Sequence, residues 1–125
     1  MKLDAKQQVL IAIYLEYQKD LPGFDDNLTP EALGMGERTF HAAIVKLHGE
    51  ELIRGAEIEW IMESGRVKSM FGMLMTRSGI EYIERKFQID MDENGLEKAK
   101  IISKKIDKFG NEQLHSYAEK VIGEM

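Results

Sequence analysis

The sequence predicts a mainly α chain with one small β-hairpin, and three observations lead there. Apolar residues recur at steps of three and four through residues 10–17 and 40–47, the period of helices that bury one face. A Thr29-Pro30 start and a Gly34-Met35-Gly36 stop lie so close together that only a very short element separates those two helices. Ile58, Trp60 and Met62 then alternate with Glu57, Glu59 and, past Ile61, Glu63, the period of a strand.

Leu10, Ile13, Tyr14 and Tyr17 share a face, and Asp4 with Gln7 has capping-box spacing, so a first, amphipathic helix is expected over 4–19. Leu21-Pro22-Gly23-Phe24-Asp25-Asp26-Asn27 concentrates turn-forming residues and predicts a loop. Thr29 as N-cap and Pro30 in the first turn predict a second helix over 30–33. The two glycines that follow permit a tight reversal with Met35 directed inward. From Glu37 a third helix buries Phe40, Ala43, Ile44 and Leu47, with Gly49 near its end and Leu52 and Ile53 returning to the core.

Ile58, Trp60 and Met62 alternate with Glu57, Glu59 and Glu63, a turn is expected at Ser64-Gly65, and a second strand falls within 67–75. Met62, Met70, Met73 and Met75 with Trp60 and Phe71 are expected to form core beneath this sheet; a soft, Met-rich protein-binding patch is the alternative. Thr76-Arg77-Ser78-Gly79 caps a fourth helix that packs Ile80, Ile83 and Phe87 inward. After a polar connection over 88–95, Ala99, Ile102, Ile106 and Phe109, then Leu114, Tyr117 and Val121 beyond Gly110-Asn111, form one stripe of an αα-hairpin or of a kinked helix.

The order helix, short helix, turn, helix, hairpin, helix is that of a winged helix-turn-helix domain, expected over 1–87, with 88–125 as a helical extension. The stretch from Leu28 through Thr29, Pro30, Gly34 and Gly36 to Phe40 looks like the helix-turn-helix passage of winged-helix regulators. Leu74-Met75-Thr76-Arg77-Ser78-Gly79-Ile80-Glu81-Tyr82-Ile83 resembles the passage that follows their wing. In length, acidity and these two passages the chain is similar, over about residues 3–87, to the YjcQ-like family of small bacterial and prophage winged-helix proteins. The resemblance implies a fold more than a mechanism.

The 125 residues suffice for a real core, and with no cysteine the chain can form neither disulfides nor thiolate metal sites. The first residues lack the apolar run of a signal peptide, and the apolar stretches are far shorter than a membrane span, which together predict a cytoplasmic protein. A net charge of −5 has the wrong sign for nucleic-acid binding by bulk electrostatics, so any such contact needs a local basic patch.

That patch is expected on the outward face of the third helix, where Arg38, Thr39, His41, Ala42 and Lys46 would meet a major groove and its phosphates. Arg38 suits a guanine, Thr39 or His41 a phosphate or base, and Ala42 a thymine methyl. On the wing, Arg66 and Lys68 would contact phosphates, or else pair across the hairpin with its glutamates. A winged-helix protein-interaction module that never touches DNA is the competing reading. Clustering of Arg38, Lys46, Arg54, Arg66 and Lys68 on one face would favour DNA, and their interleaving with Glu37, Glu50, Glu57, Glu59 and Glu63 would favour the protein partner.

The C-terminal stripe of Ile102, Ile106, Phe109, Leu114, Tyr117 and Val121 must be buried somewhere. A homodimer interface is expected, with folding back on the chain's own domain as the competitor. His41, His48 and His115 are scattered, and no HExxH, P-loop, GxGxxG or GxSxG motif is present. A non-enzyme without metal or cofactor is therefore expected.

Overall fold

A computed structural model describes residues 2–125 and arranges them as helices around one buried helix, with a small hairpin on one side. In chain order the elements are α1 (Ala5–Tyr17), α2 (Phe24–Asn27), α3 (Glu37–Gly49), β1 (Ile53–Arg54), β2 (Glu57–Ile61), β3 (Ser64–Ser69), β4 (Leu74–Met75), α4 (Arg77–Phe87), α5 (Gly95–Ile106), a 3-10 turn (Asp107–Phe109) and α6 (Glu112–Glu124).

α1 begins where its capping box predicts, with Asp4 accepting from the Gln7 amide and the Gln7 side chain accepting from the Asp4 amide. It is not amphipathic, however. Every residue from 9 to 16 is buried, because α3, α4, α6 and β4 all contact it and enclose it. Burying side chains of this size contributes roughly 1.5–3 kcal/mol each.

Three local expectations are corrected. The region read as a loop contains the single turn α2, whose Phe24 is buried. Residues 30–33 form a turn and not a helix, although the Thr29 hydroxyl caps it by accepting from the Ala32 amide at 3.1 Å. Its hydrogen bonds span three residues, Leu33 to Pro30 and Gly34 to Glu31, and Gly34 at φ +63° ends it before a helical ladder builds. The hairpin reverses at Met62-Glu63, and Ser64 and Gly65 already belong to β3.

The second alternating stretch is also two elements. β3 pairs antiparallel with β2 and ends at Ser69; β4 pairs instead with β1, matching Ile53 to Met75 and Arg54 to Leu74. The expected methionine core divides accordingly. Met70, Met73 and Met75 are buried, whereas Trp60, Met62 and Phe71 are exposed.

α5 and α6 form an αα-hairpin, and α6 packs directly on α1. Ile102, Ile106, Leu114, Tyr117 and Val121 are consequently core residues of a single chain, at most 4% exposed, and Phe109 is half-buried edge-on against Phe87. Their assignment to a dimer interface is corrected: the apolar surface that called for a second copy is consumed internally. Residues 88–125 share one continuous core with the rest and are not an appendage. Among the described residues no helix is long and apolar enough to cross a membrane.

Two buried carboxylates stitch these helices together. Glu16, wholly buried, accepts from the Gly23 amide at 2.9 Å, the Asn27 amide group at 3.0 Å and the Tyr117 hydroxyl at 2.9 Å, with the Lys19 ammonium at 3.1 Å. Lys19 also pairs with Glu124 near the end of α6. Glu84 on α4 accepts from the Tyr14 hydroxyl and from Lys98 on α5, both at 2.8 Å. Burial alone would disfavour the Glu16 anion, but the bonds from Gly23, Asn27, Lys19 and Tyr117 outweigh it and hold its pKa below the usual value. Burial, then contact with Glu84 for Tyr14 and with Glu16 for Tyr117, pushes both phenols far up, so each remains a donor.

Replacing Glu16 by Leu strands these donors and should cost roughly 3–5 kcal/mol in urea unfolding. A carboxylate whose folded pKa is depressed contributes stability above its unfolded pKa and loses it as pH falls through the folded value. Wild-type stability should thus decline as pH drops below about 4.5, and Glu16→Gln should lack that part of the decline.

Candidate nucleic-acid interface

The outward side of α3 and the hairpin enclose a groove of about 690 Å³, lined on the helix by Glu37, Arg38, His41, Ala42, Val45 and Lys46 and on the hairpin by Trp60, Glu63, Ser64, Gly65 and Arg66. α3 presents these residues because Phe40, Ala43, Ile44 and Leu47 occupy its opposite, buried face. The hairpin is held beside it by β3. Gly65 approaches so closely that a Cβ there would stand 3.1 Å from Val45 Cγ2 and 3.0 Å from Trp60 Cζ3. The Val67 amide donates to His41 Nδ1 at 3.0 Å, which fastens strand to helix.

Arg38, Ala42, Lys46 and Arg66 therefore meet at one groove, as the sequence suggested. Arg38, Lys46 and Arg66 have no carboxylate oxygen within 4.0 Å among the described residues. Three cations in one place can bind phosphates, while Glu37 and Glu63 place negative charge on the same walls.

The remaining predicted positions have different roles. His41 cannot offer Nδ1 as a donor, since that nitrogen accepts from Val67; its other nitrogen is 3.9 Å from Glu37. It fastens the hairpin through Nδ1, while its other nitrogen lies at the groove beside Glu37. Lys68 lies 3.6 Å from Glu57 across the hairpin, the cross-strand pair that competed with phosphate binding. Thr39 is exposed on α3 but outside the groove lining, and Arg54 sits in a separate depression with His48, Glu51 and Arg77.

Trp60, 60% exposed, is the groove residue that the sequence reading missed. The signal for it was Gly65, its cross-strand partner, which leaves no side chain to cover the indole. Beside it Ile61 is also exposed, and Met62, 96% exposed, adopts φ +58°, a conformation costly for a side chain with Cβ. No cluster of three or more His, Cys, Asp or Glu arranged for a metal exists among the described residues. Comparison with protein-family models, curated proteins and solved structures finds no match.

Removing the His41 acceptor should loosen the hairpin without unfolding the chain. In His41→Ala, hydrogen exchange at the Val67 amide is expected to accelerate at least about tenfold, matching the loss of one partly buried bond. Amides of α1 should keep their protection.

Proposed function

We propose that this chain is a winged-helix DNA-binding protein of the regulator type, with α3 as the helix entering the major groove and the β2-β3 hairpin as its wing. One observation carries the reading: Arg38, Lys46 and Arg66, from two separate elements, converge on a single groove with no carboxylate partner within 4.0 Å among the described residues. In this reading Arg38 contacts a base edge from the first turns of α3, Ala42 stands beside it, and Lys46 and Arg66 neutralise phosphates. The passages around Thr29-Pro30 and Thr76-Gly79 resemble those of winged-helix regulators, although residues 30–33 form a turn where that pattern has a helix. The protein acts in the cytoplasm by binding, with no reaction of its own, no metal and no cofactor.

A second reading, a winged-helix module for a protein partner, is favoured by specific features. Glu37 and Glu63 interrupt the groove's positive charge, Lys68 is engaged by Glu57, and Ile61, Met62 and Phe71 expose apolar surface.

Fluorescence anisotropy with a labelled random-sequence duplex, from low to physiological salt, separates the two. The DNA reading expects affinity that falls steeply with salt, and loses about tenfold or more in an Arg38→Ala, Arg66→Ala double variant. No binding at low salt would favour the protein-partner reading.

A further inference from the structure

The chain has a single tryptophan, and it stands in the groove where the unpaired cations are. Its benzo edge rests over Gly65, with Cζ3 and Cη2 3.0 and 3.1 Å from where a Cβ would lie. The indole is thus held against the strand while 60% of the residue remains open to solvent. A hairpin that needed this side chain only for packing would bury it, as α3 buries Phe40.

We infer that the groove takes an unpaired nucleotide, its base stacked on Trp60 and its flanking phosphates held by Arg38, Lys46 and Arg66. The inference rests on reading the groove as a nucleic-acid interface, and it names the form of nucleic acid that fits. Within duplex DNA each base is covered by its neighbours, so an exposed indole finds no free π-face there. A single strand, a frayed end or an extruded base supplies one, and stacking on an aromatic ring beside a cationic groove is the chemistry by which proteins hold single strands.

The carboxylates on the walls agree with this occupant. Glu37 and Glu63 would repel a continuous row of phosphates. Unpaired cytosine, adenine and guanine, however, present amino donors on edges that pairing occupies in a duplex, and a carboxylate accepts from them. Three cations for phosphates, one indole for a base face and two carboxylates for base amino groups match the phosphates and the base of a nucleotide strand. A protein segment would account for the charges without requiring a planar, stackable group.

Since Trp60 is the sole tryptophan, its emission reads the site directly in the unmodified protein. The probes are an unstructured oligodeoxycytidine and a blunt-ended duplex of random sequence, each titrated at low and physiological salt and followed by Trp60 emission and by anisotropy of the labelled nucleic acid. The oligonucleotide should quench Trp60 saturably, more weakly as salt rises, and at saturation more deeply than the duplex, which offers the indole no free base face within its stack. Trp60→Leu should bind the oligonucleotide roughly tenfold more weakly, with an unaltered unfolding temperature.

Oligonucleotide binding without quenching, or equal binding by Trp60→Leu, overturns the inference; duplex affinity in the same experiment would leave the regulator reading intact. Quenching by the single strand with no affinity for the duplex supports the inference and removes the duplex regulator. Failure of both probes at low salt overturns both the inference and the regulator reading.

Discussion

The carboxylate of Glu16 sits in the middle of the molecule with no exposure to solvent, and the fold is arranged so that this charge is never without partners. Desolvating a carboxylate is expensive, and only several well-directed donors compensate for it. Here the donors come from different places in the chain: the backbone of Gly23, the side chains of Asn27 and Lys19, and the hydroxyl of Tyr117 on α6. Satisfying Glu16 therefore fixes the reversal after α1 and the position of α6 together. Glu84 repeats the device from α4, drawing in Tyr14 and Lys98.

The placement of the binding face follows from this. With α6 anchored on α1, the C-terminal hairpin folds back and places Gln113 over the turn at Gly34, where a Cβ would lie only 2.7 Å from Gln113 Cγ. The turn leading into α3 is thereby braced from behind. The apolar stripes of α5 and α6 are used up in the same core. Where α3 meets the hairpin, the exposed Trp60 stands beside Arg38, Lys46 and Arg66. A rigid helix fastened to a wing through His41 and Gly65 gives that groove fixed walls.

Features governed by neighbours in sequence were legible before the structure. The Asp4 and Gln7 cap, the Thr76 cap and the buried face of α3 depend on residues three or four apart, and the sequence displays them. The all-round burial of α1 was not legible, because Glu16 reads as a solvent residue until Tyr117, 101 positions away, is brought to it. Phe24 and its single turn were hidden in the same way, since the surrounding Pro, Gly and Asp residues describe a loop.

In the groove, Arg38, Ala42, Lys46 and Arg66 could be read from helical and strand period alone. His41 could not, since its role is set by the Val67 amide on the facing strand; for Lys68, pairing with a hairpin glutamate was one of two readings, and Glu57 decides between them. Alternation assigned Trp60 to the correct face of its strand. It carried no information about depth, which Gly65 determines by leaving the indole uncovered.

Mapping amide chemical shifts while a short DNA is added addresses the placement of the binding face most directly. If α3 and the hairpin form it, the perturbed amides cluster over residues 37–46 and 60–66, and those of α5 and α6 stay in place. Perturbations centred on α5 and α6, or none at all at low salt, would contradict a nucleic-acid interface between helix and wing.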